Sequence, residues 1–206
     1  MNPATQQHTS PKLAAAAVVV THEVADYGRW KAAFDAHAPA RKAAGIVRHH
    51  INRAADAPNR LSVYLAAENL PALKAFLASE GLKAVMADAG IVGPPAVALL
   101  TPAEDQLNTK EALAGVIVRH EVADYARWKL AFDGHASARA AAGVVGHAVN
   151  RGVENPNLVV VYLQAESLDA VRAFAASDDL KQVMQNAGIV GAPQIAFVQS
   201  AGWGSY

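Results

Sequence analysis

Six of the eight histidines in this 206-residue chain occur as matched pairs, His22 with His120, His37 with His135 and His49 with His147. A neutral imidazole donates through one ring nitrogen and accepts through the other, and its ordinary pKa lies near neutrality. Repeated histidines of this kind suit proton handling or ligand orientation. They equally suit a structural role, hydrogen-bonded under a helix or at a strand end, and both readings stand. Tyr64 lies between Val63 and Leu65, and Tyr162 between Val161 and Leu163. Strand alternation turns each phenol away from the face its aliphatic neighbours take, toward an inter-sheet space. Replacing either with Phe is then expected to harm ligand binding more than folding. His22, His49 and Tyr64, with His120, His147 and Tyr162, form the candidate catalytic set, as acid, base or orienting groups. Parity leaves the face of the histidines open, because Val20 and Val24 beside His22, and Val47 and Ile51 beside His49, all read as core.

The candidate ligand contacts are Arg53 with Glu68, Arg151 with Glu166, and Trp30 with Trp128. Each arginine ends a hairpin strand and each glutamate ends its neighbour, so an Arg–Glu pair is expected at a barrel mouth, as a structural ion pair or a ligand contact. Trp30 precedes Phe34 by four residues, as Trp128 precedes Phe132, which stacks the rings on one helix face as core or cavity wall. His37 and Arg41, farther along, suit a pocket entrance or the carbonyl end of the helix. No His-x-His or His-x-x-x-His pairing with a nearby carboxylate recurs in both copies, so no metal site is expected. The absence of cysteine removes thiolate nucleophiles, disulfides and Cys-type zinc sites. The Gly-Ile-Val-Gly-x-Pro block follows a helix instead of preceding one and reads as a cap and turn, not a phosphate loop. No cofactor is expected.

An internal duplication positions these residues. Val20–Leu100 overlays Val118–Val198 without a gap, carrying His-Glu-Val-Ala-Asp-Tyr, Asn-Arg and Ala-Gly-Ile-Val-Gly in both copies. In the first copy, 14–24 reads as a strand, and Asp26 caps a helix with Tyr27, Trp30, Phe34 and Ala38 on one stripe. Gly45 stops that helix. Strands at 46–53 and 61–67 flank the turn Asp56-Ala-Pro-Asn59, and a second helix from Pro71 breaks near Ser79 and ends at Gly90. A last strand covers Pro95–Leu100. Each copy is therefore β-α-β-β-α-β, a ferredoxin-like split unit with helices on one face of its sheet. The bare faces are expected to pack on each other within the chain. Residues 13–100 and 113–200 are the two units, 101–112 a linker, 201–206 a tail, and 1–12 a disordered segment.

Composition narrows the partners. The chain is 52% apolar, and eighteen basic residues balance eighteen acidic ones. That balance offers no footprint for nucleic acid or anionic membrane and points to a small-molecule ligand. Leu13–Val20 reads as a strand, since it recurs in mid-chain, and no apolar run approaches membrane-spanning length. A cytoplasmic protein is expected, with the fused pair open to further homo-oligomerisation.

The order Val-x-His-x-Val-x-Asp-Tyr-x-x-Trp-Lys-x-x-Phe-Asp, then Asn-Arg, Pro-Asn, Phe-x-x-Ser-x-x-Leu-Lys-x-x-Met and Ala-Gly-Ile-Val-Gly-x-Pro, resembles the dimeric α+β barrel superfamily, near the antibiotic biosynthesis monooxygenases. The resemblance covers nearly the whole chain. It implies an α+β fold of two tandem ferredoxin-like units closed into an intrachain barrel. It also implies an enzyme such as a cofactor-independent monooxygenase acting on a small apolar or aromatic molecule, or a non-catalytic binding or stress-associated module. The Asn, Trp and His pattern of the haem-degrading relatives has no matching positions. The two sites are expected to differ in competence, because Thr21, Arg48, His50 and Ser62 become Arg119, Gly146, Ala148 and Val160 in the second copy.

Overall fold

The computed structural model describes residues 13–108 and 113–206. The expected disordered segment and the end of the expected linker lie outside them. In the first unit, strand β1 (Ala16–Val24) leads to helices α1 (Tyr27–Ala36) and α2 (Ala38–Ala43). The hairpin β2 (Ile46–Ala54) and β3 (Arg60–Ala67) follows, then helices α3 (Leu70–Ala78) and α4 (Glu80–Asp88) and strand β4 (Ile91–Gln106). The second unit repeats this as β5 (Ala114–Val122), α5 (Tyr125–Gly134), α6 (Ala136–Ala141), β6 (Val144–Gly152), β7 (Leu158–Ala165), α7 (Leu168–Ala176), α8 (Asp178–Asn186) and β8 (Ile189–Ser205). The Asp26 carboxylate accepts from Arg29 N at 2.6 Å and Asp124 from Arg127 N at 2.7 Å, so both first helices start at the sequence-predicted caps. Asn69 and Ser79 cap α3 and α4 in the same way.

The eight strands form one closed antiparallel barrel in the order β1-β3-β2-β8-β5-β7-β6-β4. Each unit supplies a four-stranded sheet, and closure comes from two ladders between the units. Leu100–Gln106 of β4 pairs with β6, and Val198–Ser205 of β8 pairs with β2. Much of the segment expected as linker, and the whole span expected as tail except Tyr206, is therefore strand. Thr-Pro-Ala-Glu-Asp-Gln is too polar to read as sheet from its own pattern. It is ordered because a barrel without edges satisfies every backbone group that an open sheet would leave bare.

Strand alternation separates two cores. On β1, Ala16, Val18, Val20, His22 and Val24 face the helices, as do Ile51 on β2 and Leu61, Val63 and Leu65 on β3, where they pack on Trp30, Leu73 and Phe76. The second unit repeats this core with Val116, Trp128, Val149, Val161, Leu163 and Phe174. Ala17, Val19, Tyr64, Ala98, Leu100, Ile117 and Val160 meet in the lumen. No residue of α4 or α8 is fully buried, so Leu82, Val85 and Met86 on α4 roof their sheet loosely. No described helix is long and apolar enough to cross a membrane.

Candidate functional site

The loose roof leaves a cavity between helices and sheet in each unit, about 160 Å³ in the first and about 80 Å³ in the second. The first is walled by Trp30, Phe34, Phe76 and Met86, with His22 on the sheet side and His37 and Arg41 on the helix side. Trp30 stacks on Phe34 at 5.1 Å and His22 lies 5.6 Å from Trp30. Both ring nitrogens of His22 are buried without a hydrogen-bond partner, although the residue is only 8% exposed. Burial holds its pKa down at about 4, so the ring is neutral at physiological pH. His120 repeats this on Trp128, with the same orphaned nitrogens and a pKa held at about 4 by burial.

Arg41 serves as helix cap and cavity wall at once. Its Nη1 donates to the Phe34 carbonyl at 2.6 Å, its Nε to the Tyr206 hydroxyl, and its guanidinium lies 3.6 Å from the centre of the Phe34 ring. Arg139 caps Phe132 and lies over its ring in the same way. The mouths differ. His135 is bonded at 2.6 Å to Asp179 of α8, whereas the matching position in α4 is Gly81 and puts no carboxylate on His37.

The sequence-predicted set divides between faces. His49 shares the helix face with His22 but sits outside the cavity, packed 5.1 Å from Phe34 and 5.3 Å from Tyr206. Burial, with the charges of Arg41 and Lys31, holds its pKa at about 4. His147 lies 3.2 Å from Glu104. Tyr64 and Tyr162 point into the lumen, on the other side of the sheet, so His22, His49 and Tyr64 do not converge on one ligand. The phenols are tied across the units instead, Tyr162 to Asn52 at 3.0 Å and Tyr64 to Asn150 at 3.3 Å. Burial raises the pKa of both, that of Tyr64 to about 12. His50, which reaches Ser200 at 2.9 Å, joins them around a lumen space of about 40 Å³.

The expected Arg–Glu pairs do not form. In the β2–β3 hairpin Arg53 stands opposite Leu61, at the turn end, while Glu68 follows the far end of β3 beside Gly45. Arg53 instead donates to the Pro58 carbonyl and lies over Tyr27 at 4.0 Å, and Arg151 repeats this with Pro156 and Tyr125. Glu68 and Glu166 are exposed. Trp30 and Trp128 line their cavities. Sequence reasoning passed over Asn52 and Asn150 as functional positions, although both copies keep Asn-Arg there. It also passed over the Gly81–Asp179 difference.

No protein-family model matches the sequence, and no curated protein is significantly similar to it. Solved structures do match in fold. An anthrone oxidase-like protein aligns at a TM-score of 0.67 and 14% identity over 92% of this chain and 92% of its own. A candidate monooxygenase from Lactobacillus acidophilus aligns at 0.63 and 11% over 92% and 95%. A ferredoxin-fold protein of Listeria monocytogenes related to antibiotic biosynthesis monooxygenases aligns at 0.53 and 13% over 92% and 96%. The architecture is the dimeric α+β barrel, here built from one chain.

Proposed function

With the dimeric α+β barrel as the frame, we propose that this chain is a cofactor-independent, monooxygenase-like enzyme whose substrate, a small apolar or aromatic molecule, sits in the helix–sheet cavity of the first unit. The observation that carries the reading is His22. A buried polar group without a partner is costly unless something supplies its hydrogen bond, and His22, whose two ring nitrogens both lack a partner, lines an apolar cavity. A ligand with one hydroxyl or carbonyl completes that bond while its rings pack on Trp30, Phe34 and Phe76. His22 then fixes which atom of the substrate lies deepest, and the apolar walls exclude water from it. Names of fold neighbours that include monooxygenases add support at the level of fold.

The low pKa of His22 favours a second reading. A base with a pKa of about 4 removes a proton poorly at neutral pH, so orientation suits His22 better than general-base catalysis. A binding module without chemistry would need the same residue in the same place.

Oxygen uptake with a series of phenols and naphthols, alongside calorimetric binding of 2-naphthol, tests both readings. The enzyme reading expects oxygen consumption that His22→Leu abolishes while the thermal midpoint holds or rises. Binding without oxygen uptake by any compound transfers the site to the binding module. Unchanged binding by a folded His22→Leu chain overturns both.

A further inference from the structure

The two cavities share walls, floor histidine and capping arginine, yet one has about half the volume of the other. Among the positions that differ between the units, one pair lies at the mouths of the cavities. In the second unit Asp179, the second residue of α8, binds His135 Nε2 at 2.6 Å, tying the outer helix to the end of α5. His135 is then 8% exposed and stacked 5.8 Å from Phe174. In the first unit the second residue of α4 is Gly81, and His37, 5.7 Å from Phe76, meets no carboxylate from that helix. There the cavity extends to Leu77, Pro95 and Val97, which have no counterparts in the lining of the second.

Resting on the cavity reading above, we infer that Gly81 and Asp179 decide which cavity admits ligand, so that the chain holds one site wide enough for it, in the first unit, and one that the His135–Asp179 bond keeps too narrow. The wider site takes an apolar ligand with hydrogen-bonding groups at both ends, one for His22 on the floor and one for His37 at the mouth. In the second unit the mouth histidine is already engaged. A Cβ added at Gly81 meets no heavy atom within 4 Å, so the chain tolerates an aspartate there. An acid in the first turn of a helix is also electrostatically favoured. The copies are thus interchangeable at this position by single substitutions.

Calorimetric titration of the full chain with 2,6-dihydroxynaphthalene, with a thermal melt of each variant, tests this. Wild type is expected to bind one equivalent, Asp179→Gly two, and Gly81→Asp none, or one at least tenfold more weakly. In the double variant the single site moves to the second unit, where His120→Leu abolishes it and His22→Leu does not. Two equal sites in wild type, or one site in a folded Asp179→Gly chain, overturns the inference and leaves the cavity reading intact. No binding by wild type or any variant overturns the cavity reading, and this inference with it.

Discussion

The Tyr162 hydroxyl of the second unit donates to the Asn52 side chain of the first at 3.0 Å, and Tyr64 of the first returns the contact to Asn150 of the second at 3.3 Å. Asn52 and Asn150 are each 3% exposed, so these bonds lie inside the lumen, where the low dielectric strengthens them. They join the sheets through side chains as the β2–β8 and β4–β6 ladders join them through backbone.

Tyr162→Phe is therefore expected to lower stability by about 1–2 kcal/mol, the cost of leaving a buried amide oxygen unsatisfied. Binding in the first cavity, on the opposite face of the sheet, is expected to stay unchanged. Urea denaturation with 2-naphthol titration checks both. An unshifted midpoint with weakened binding would restore the phenol to the ligand site, as its strand parity alone suggested.

Acid stability follows from His22 and His120. Burial holds both pKa values at about 4, below the ordinary 6.5, so the unfolded chain binds more protons than the folded one between those values. Stability is full above pH 6.5 and falls as pH drops toward 4, by up to about 3 kcal/mol per histidine. Replacing both with Leu is expected to make that limb about half as steep in melts run from pH 7 to pH 4, since His49 and His50 keep their share. An equally steep limb in the double variant would assign the loss to His49 and His50, which are also held at about 4 by burial first of all.

Gly204 supplies the space that His49 occupies. A Cβ there falls 2.7 Å from His49 Cε1, closer than carbon atoms approach. Gly204→Ala is expected to cost about 1–3 kcal/mol by overpacking, and His49→Ala in the same chain to recover part of it. A thermodynamic cycle on the two substitutions measures the coupling, and simple additivity would show that the ring moves aside without cost.

Arg41 and Arg139 cap equivalent helices with unequal support. Arg41 also donates to the Tyr206 hydroxyl, and the position that corresponds to Tyr206 across the duplication is Asn108. Arg41→Met is expected to cost about 2 kcal/mol or more, through lost charged hydrogen bonds and an uncapped carbonyl, and Arg139→Met less. Chemical denaturation of the two variants ranks them, and equal losses would show that the Tyr206 contact contributes nothing.

The sequence by itself determined the duplication, the β-α-β-β-α-β order, the Asp26 and Asp124 caps and the lumen-facing tyrosines. Each follows from local rules, the cap from one carboxylate and its own backbone, the phenols from alternation between aliphatic neighbours. The faces of His22 and His49 were not decided locally, because valines or isoleucine flank both, and only the packing of Trp30 and Phe34 against the sheet put one in the cavity and the other behind it. Hairpin register, which depends on where the 55–59 turn closes, separated Arg53 from Glu68. Barrel closure, a relation between strands of different units, turned polar residues 101–106 into β4 and brought Tyr162 to Asn52. The contrast between Gly81 and Asp179 was present in the sequence, but it acquired a meaning only when the fold placed α8 over His135.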